Sequence, residues 1–126
     1  YILVLYYSRF GATAEMARLI RDGSVELREG YNKLSTKPME AEENAAAARK
    51  AERNTEKVYR AALADLFSAD HLVEALRQKT ENAEADAMLY VIETFKRREV
   101  YRHLSNGADR LEHAAGVLHD IVVQIA

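Results

Sequence analysis

Apolar residues return every three or four positions through Val100, Leu104, Ala108, Leu111, Ala115, Leu118, Val122 and Ile125. This is the stripe of an amphipathic helix, and few other structures tolerate it. Met88, Ile92 and Phe95 continue it upstream with one slip, so the helix predicted here is roughly 55 Å long at 1.5 Å per residue. A compact α/β domain has no place for so long a stripe. Burying it takes other long helices alongside, so the spacing predicts a helical bundle.

The rest of the chain can supply them. From about Ala12 onward Ala, Glu, Lys, Arg and Leu dominate, and Pro38 is the only proline. A first helix is expected from Ala12 to about Leu34, with Gly23 and Gly30 as weak points. Thr36 offers a hydroxyl cap and Pro38 a first-turn proline for a second long helix reaching Phe67. On that helix Ala51, Thr55, Val58, Ala62 and Leu66 make a narrow face whose small residues permit close helix approach. The charged run from Glu40 to Lys57 reads as its solvated side, laced with four-residue ion pairs. Ser68 or Asp70 can cap a short helix ending near Lys79, and Thr80 the long last one. Ile2 to Tyr7 is different: β-branched and aromatic without helical spacing, it reads as a buried strand, with a helix as the alternative.

Composition narrows the function classes. The 126 residues suffice for one compact domain with its own core. A net charge of −2 offers no global attraction to nucleic acid or an anionic membrane. Without cysteine there is no disulfide, thiolate metal site or thiol catalysis. The apolar run Tyr1–Tyr7 is far below the roughly 20 residues of a membrane span and lacks a basic segment before it. The default expectation is a cytoplasmic protein with no membrane insertion. The missing initiator methionine points to a fragment, a processed chain or trimmed ends.

Two patches carry a resemblance: Ala51-Glu52-Arg53 through Tyr59-Arg60-Ala61-Ala62-Leu63-Ala64-Asp65-Leu66-Phe67, and Arg97 through Val123. With them, residues 21–126 resemble the PhoU-like proteins that accompany inorganic phosphate transporters. The resemblance implies an antiparallel bundle of long helices and a non-enzymatic regulatory role exercised on a transporter or its sensor, with a homodimer compatible. It also implies carboxylates spaced Glu/Asp-x-x-x-Asp on facing helices, able to hold a divalent or iron-type cation. Glu52 and Glu56 match that spacing. In the last helix the matching pair is Ser105 and Asp109, so a hydroxyl stands in place of a carboxylate. His113, four residues beyond Asp109, is a replacement ligand of the imidazole type, and His103 beyond Glu99 is a weaker one. The expected metal set is therefore Glu52, Glu56, Asp109 and His113. Ordinary helix electrostatics is the plainer account of the same pairs. His71 and His119 read as surface residues.

A second resemblance covers residues 1–20. Ser8-x-x-Gly11-x-Thr13 follows the apparent strand and precedes a helix, as in the first phosphate loop of flavodoxin-like quinone reductases. It implies that Ser8, Arg9, Phe10, Gly11, Ala12 and Thr13 surround an FMN phosphate with backbone N–H groups and hydroxyls. The chain is thus expected to be mostly α, with residues 1–20 appended as a strand or arm to a bundle of 21–126. An α/β flavodoxin-like oxidoreductase fragment is the alternative, and a composite chain without native function is a third reading.

Overall fold

The computed structural model describes the backbone of residues 2–68, 70, 73, 74, 77 and 82–125, and within that set the side chains from residue 11 onward. Three helices carry the fold: α1 Ile2–Lys33, α2 Pro38–Leu66 and α3 Ala83–Ile125. Their lengths are about 48, 43 and 65 Å at 1.5 Å per residue. No strand occurs among the described residues. The short helix expected from Ser68 or Asp70 to Lys79, and its neighbour's cap at Thr80, fall largely outside the described residues. No helix among the described residues is long and apolar enough to cross a membrane.

Ile2 to Tyr7, expected as a strand, instead open α1. A short apolar run has the same signature in a buried strand and a buried helix. A strand without a neighbour would leave its N–H and C=O groups unpaired, whereas a helix closes those bonds on itself. Gly23 and Gly30 do not break α1 either, and the expected division between 1–20 and 21–126 falls inside this one helix.

The two glycines instead explain how the helices meet. A Cβ on Gly23 would lie 2.9 Å from Leu111 Cδ1 and 3.2 Å from Ala51 Cβ. One on Gly30 would lie 2.7 Å from Leu118 Cδ2 and 3.0 Å from Asn44 Cβ. A methyl group fits at neither position, so glycine here serves close backbone approach. Facing them, Ala41, Ala45 and Ala48 are fully buried on α2. The same contacts set the directions. From Gly23 to Gly30 the α2 neighbours run backward, Ala51 to Asn44, while the α3 neighbours run forward, Leu111 to Leu118. Hence α1 is antiparallel to α2 and parallel to α3.

Between α1 and α2 the chain turns within four residues, closed by Lys37 N–H donating to Lys33 O at 2.7 Å and Thr36 N–H to the same oxygen at 3.2 Å. The cap of α2 is Lys37, not Thr36, and it makes no side-chain cap bond. Pro38 explains the shift. It takes the first helical position and holds the residue before it out of the helical region, so that residue becomes the cap.

Two apolar clusters fill the bundle. One joins Leu27, Ala41, Ala45, Ala48, Leu111, Ala115, Leu118 and Val122. The other joins Met16, Ala62, Leu66 and Tyr101, with Val58, Tyr59, Leu63 and Leu104 packed against it. The expected α3 stripe is right from Leu104 to Val122 but wrong upstream. Met88, Ile92, Phe95 and Val100 are 64%, 43%, 55% and 45% exposed, and Thr94 and Tyr101 are buried instead. For Met88, Ile92 and Phe95 the cause is the slip from Phe95 to Val100: five residues leave a helix about 140° past a full turn, so these three face away from the bundle, while Val100 lies at the edge of the stripe beside buried Tyr101. Ile125 is also exposed.

Adding a methyl group should act oppositely at two α1 glycines. Gly11 has nothing within 4 Å of a built Cβ, so Gly11→Ala should stabilise the fold by about 0.5–1 kcal/mol through helix propensity. Gly30→Ala should destabilise it by about 1 kcal/mol, because overpacking against Leu118 and Asn44 exceeds that gain. Urea unfolding followed by circular dichroism measures both, and a stabilising Gly30→Ala would contradict the close packing described.

Candidate metal centre

Between the two apolar clusters the core turns polar. On α2, Glu52 and Glu56 are one helical turn apart, and on antiparallel α3 so are Ser105 and Asp109. The antiparallel packing brings the pairs together: one carboxylate oxygen each from Glu52, Glu56 and Asp109 lies within 4.8 Å of the others. Ser105 Oγ donates to Glu56 Oε2 at 3.2 Å, and Arg60 Nε donates to Glu56 Oε1 at 3.1 Å. Glu56 is half-buried and Asp109 exposed.

Glu52 is only 8% exposed. It makes no hydrogen bond or ion pair with the described residues. Burial pushes its carboxyl above the usual carboxylate range, and the charges of Glu112, Asp109 and Glu56 push it further, against a smaller opposing effect of Arg53. Desolvation and like-charge repulsion both favour the neutral acid, or a bound cation in its place.

Asp109 also borders a cleft of about 550 Å³ lined by Arg49, Glu112, His113, Gly116, Val117 and Asp120. His113 sits there, one turn beyond Asp109, and is not one of the three residues whose ligand atoms converge. Sequence reasoning missed Glu112, although its place three residues after Asp109 puts it on the same flank of α3. It also missed the role of His119. His119 Nδ1 lies 2.7 and 2.8 Å from the two carboxylate oxygens of Glu42, linking α3 to α2. The expected solvated face from Glu40 to Lys57 is therefore divided: Glu42, Glu52 and Glu56 turn toward α3, and Glu56 also makes a four-residue ion pair with Arg60, just beyond the run. His103 is exposed and Glu99 binds Arg102 Nη2 at 2.7 Å, so those two do not form a second ligand pair. His71 lies outside the described residues.

The expected FMN loop takes a different form. Ser8, Arg9, Phe10, Gly11, Ala12 and Thr13 lie within α1, which begins six residues before Ser8. In a continuous helix those N–H groups are bonded to carbonyls one turn back, so they cannot converge on a phosphate. The helix replaces the loop that the FMN reading requires.

Comparison with protein-family models, curated proteins and solved structures returned no match for this chain. The functional reading therefore rests on the geometry of the carboxylate centre and on the sequence resemblance.

A pH prediction follows from Glu52. Its carboxyl is raised in the folded chain, so its ionisation at neutral pH costs stability that protonation restores as the pH falls through the folded value. Without added cation, Glu52→Gln should therefore melt higher than the parent at neutral pH, and the difference should shrink on acidification. Thermal melts of both proteins across that range provide the measurement. A Glu52→Gln protein that melts lower at neutral pH would show that the charged carboxylate is stabilised by a partner.

Proposed function

We propose that this chain is a non-enzymatic, cation-binding helical accessory protein of the PhoU-like kind, serving inorganic phosphate transport through contacts with a transporter or its sensor. The observation that carries the reading is the convergence of Glu52, Glu56 and Asp109 from two facing helices. The resemblance implies carboxylates at this spacing, and the antiparallel packing of α2 and α3 gives them a common focus.

An all-oxygen ligand set suits hard or borderline cations such as magnesium, manganese or iron(II). Three protein oxygens leave positions for water. A cation would offset both the burial of Glu52 and the repulsion among its neighbours, and so would link α2 to α3 at the polar step in the core. Protons compete for the same oxygens, so affinity should fall on acidification. A cytoplasmic location and homodimer formation belong to the same reading.

Calorimetric titration with manganese, iron(II) and magnesium tests it, on the parent and on the double variant Glu56→Gln with Asp109→Asn. The parent should bind and the double variant should not, and the parent's melting temperature should rise with cation concentration by mass action. No binding by the parent, or equal binding by both proteins, would exclude this centre.

A further inference from the structure

We infer that the first half of α3 is the interface of an antiparallel homodimer centred on Val91, in which Glu84 of each copy faces Arg98 of the other. The inference gives the homodimer named above a surface and a register, and it draws on this surface alone, not on the cation centre. Glu84, Met88, Val91, Phe95 and Arg98 follow one another at steps of four, three, four and three residues. That is the spacing of a coiled-coil seam, a narrow stripe that meets one further helix. All five are exposed, whereas the bundle packs against the side of α3 that carries Thr94 and Tyr101. At 100° per residue the seam lies about 90° round the helix from those two buried residues. Val91 and Phe95 also line, with Leu66 and Phe67 from the end of α2, an apolar groove of about 330 Å³. Exposed Phe67, Leu89 and Ile92 widen this apolar surface, which is of the kind that marks an association site.

The order of charges along the seam selects the helix that fits it. Glu84 stands seven residues before Val91 and Arg98 seven after it. Turning a second copy end for end about Val91 therefore sets Glu84 opposite Arg98 twice and Val91 opposite Val91. Met88 of each copy then meets Phe95 of the other, a thioether against an aromatic ring. The stripe is thus complementary to itself under two-fold rotation, as a closed dimer requires. A parallel pairing would instead set Glu84 on Glu84 and Arg98 on Arg98. The two charges are also available. Lys96 and Arg102 pair with Glu93 and Glu99 on their own helix, but neither Glu84 nor Arg98 joins an ion pair among the described residues. Between them the seam runs about 21 Å. Because α3 is already held by its own bundle, so short a seam does not have to order a free helix in order to pair.

Sedimentation equilibrium of the whole chain without added cation tests this, after circular dichroism has established that each variant is folded. The parent should dimerise, and dilution should return the monomer. Val91→Asp puts two like charges on the two-fold axis and should leave a monomer at concentrations where the parent is dimeric. Glu84→Arg should weaken the dimer by about tenfold or more, since it turns two attractive pairs into two repulsive ones. Adding Arg98→Glu to Glu84→Arg reverses both charges and should restore the parent's association. The double variant keeps the same arginine in the first turn of α3, so its recovery separates pairing across the seam from a local effect on the helix. A parent that stays monomeric up to about 1 mM, a dimer that Val91→Asp leaves intact, or a double variant that associates no better than Glu84→Arg alone overturns the inference. Each of these results leaves the cation reading in place, because manganese titration of the parent reads that separately.

Discussion

The closeness of the helices at Gly23 and Gly30 is the constraint on which the other features depend. Each glycine leaves a notch on α1, filled from α3 by Leu111 or Leu118 and bordered on α2 by Ala51 or Asn44. The positions on all three helices repeat at seven residues, which is the interval of knobs-into-holes packing. A shift by one turn would drive leucine side chains into backbone that carries no matching notch. The small residues thus do more than allow contact, since they fix the axial register of α2 and α3. That register determines which side chains meet one or two turns further along.

At that distance the seam of alanines ends, and Glu52, Thr55 and Ser105 take its place in the buried layer. Thr55 satisfies its hydroxyl on its own helix, donating to Ala51 O at 2.8 Å, and Ser105 satisfies its own on Glu56. Glu52 has no such solution. A bundle optimised for stability alone would place alanine or leucine there, because an uncompensated buried carboxylate opposes folding at neutral pH. Positions that break the local rule while the rest of the core obeys it are where function is expected. Here the break lies between two well-packed apolar clusters, so the strain is borne by a rigid frame.

The first half of α3 follows a different logic. Its buried side carries Thr94 and Tyr101, while Met88, Ile92 and Phe95 point outward. Near Phe67 and Val91 the outward side forms an apolar groove of about 330 Å³. A periodicity analysis sees only that apolar residues recur, and it has no means of telling which side of a helix the neighbours occupy. The five-residue step between Phe95 and Val100 was the one visible sign that the face changes.

Beyond about Ala12 the residue spacing alone was enough to indicate the long helices, the bundle and the small-residue face of α2, because a 3.6-residue period and the absence of competing strand signals there are local properties. The four-residue steps from Glu52 to Glu56 and from Ser105 to Asp109 were legible for the same reason, since four residues make one turn wherever the helix lies; that the two pairs would face each other was implied only by the resemblance. The sequence could not decide whether Ile2 to Tyr7 formed strand or helix, because a short apolar run satisfies both until its neighbours are known. It could not say whether glycines weaken a helix or join it to others, which depends on what lies within a few ångströms of the missing Cβ. The contacts of Ser105 with Glu56 and of His119 with Glu42, and the place of Glu112 beside Glu52, were likewise decided only by tertiary structure. Each depends on the register between α2 and α3, a long-range property that the packing at Gly23 and Gly30 enforces and that no window of sequence contains.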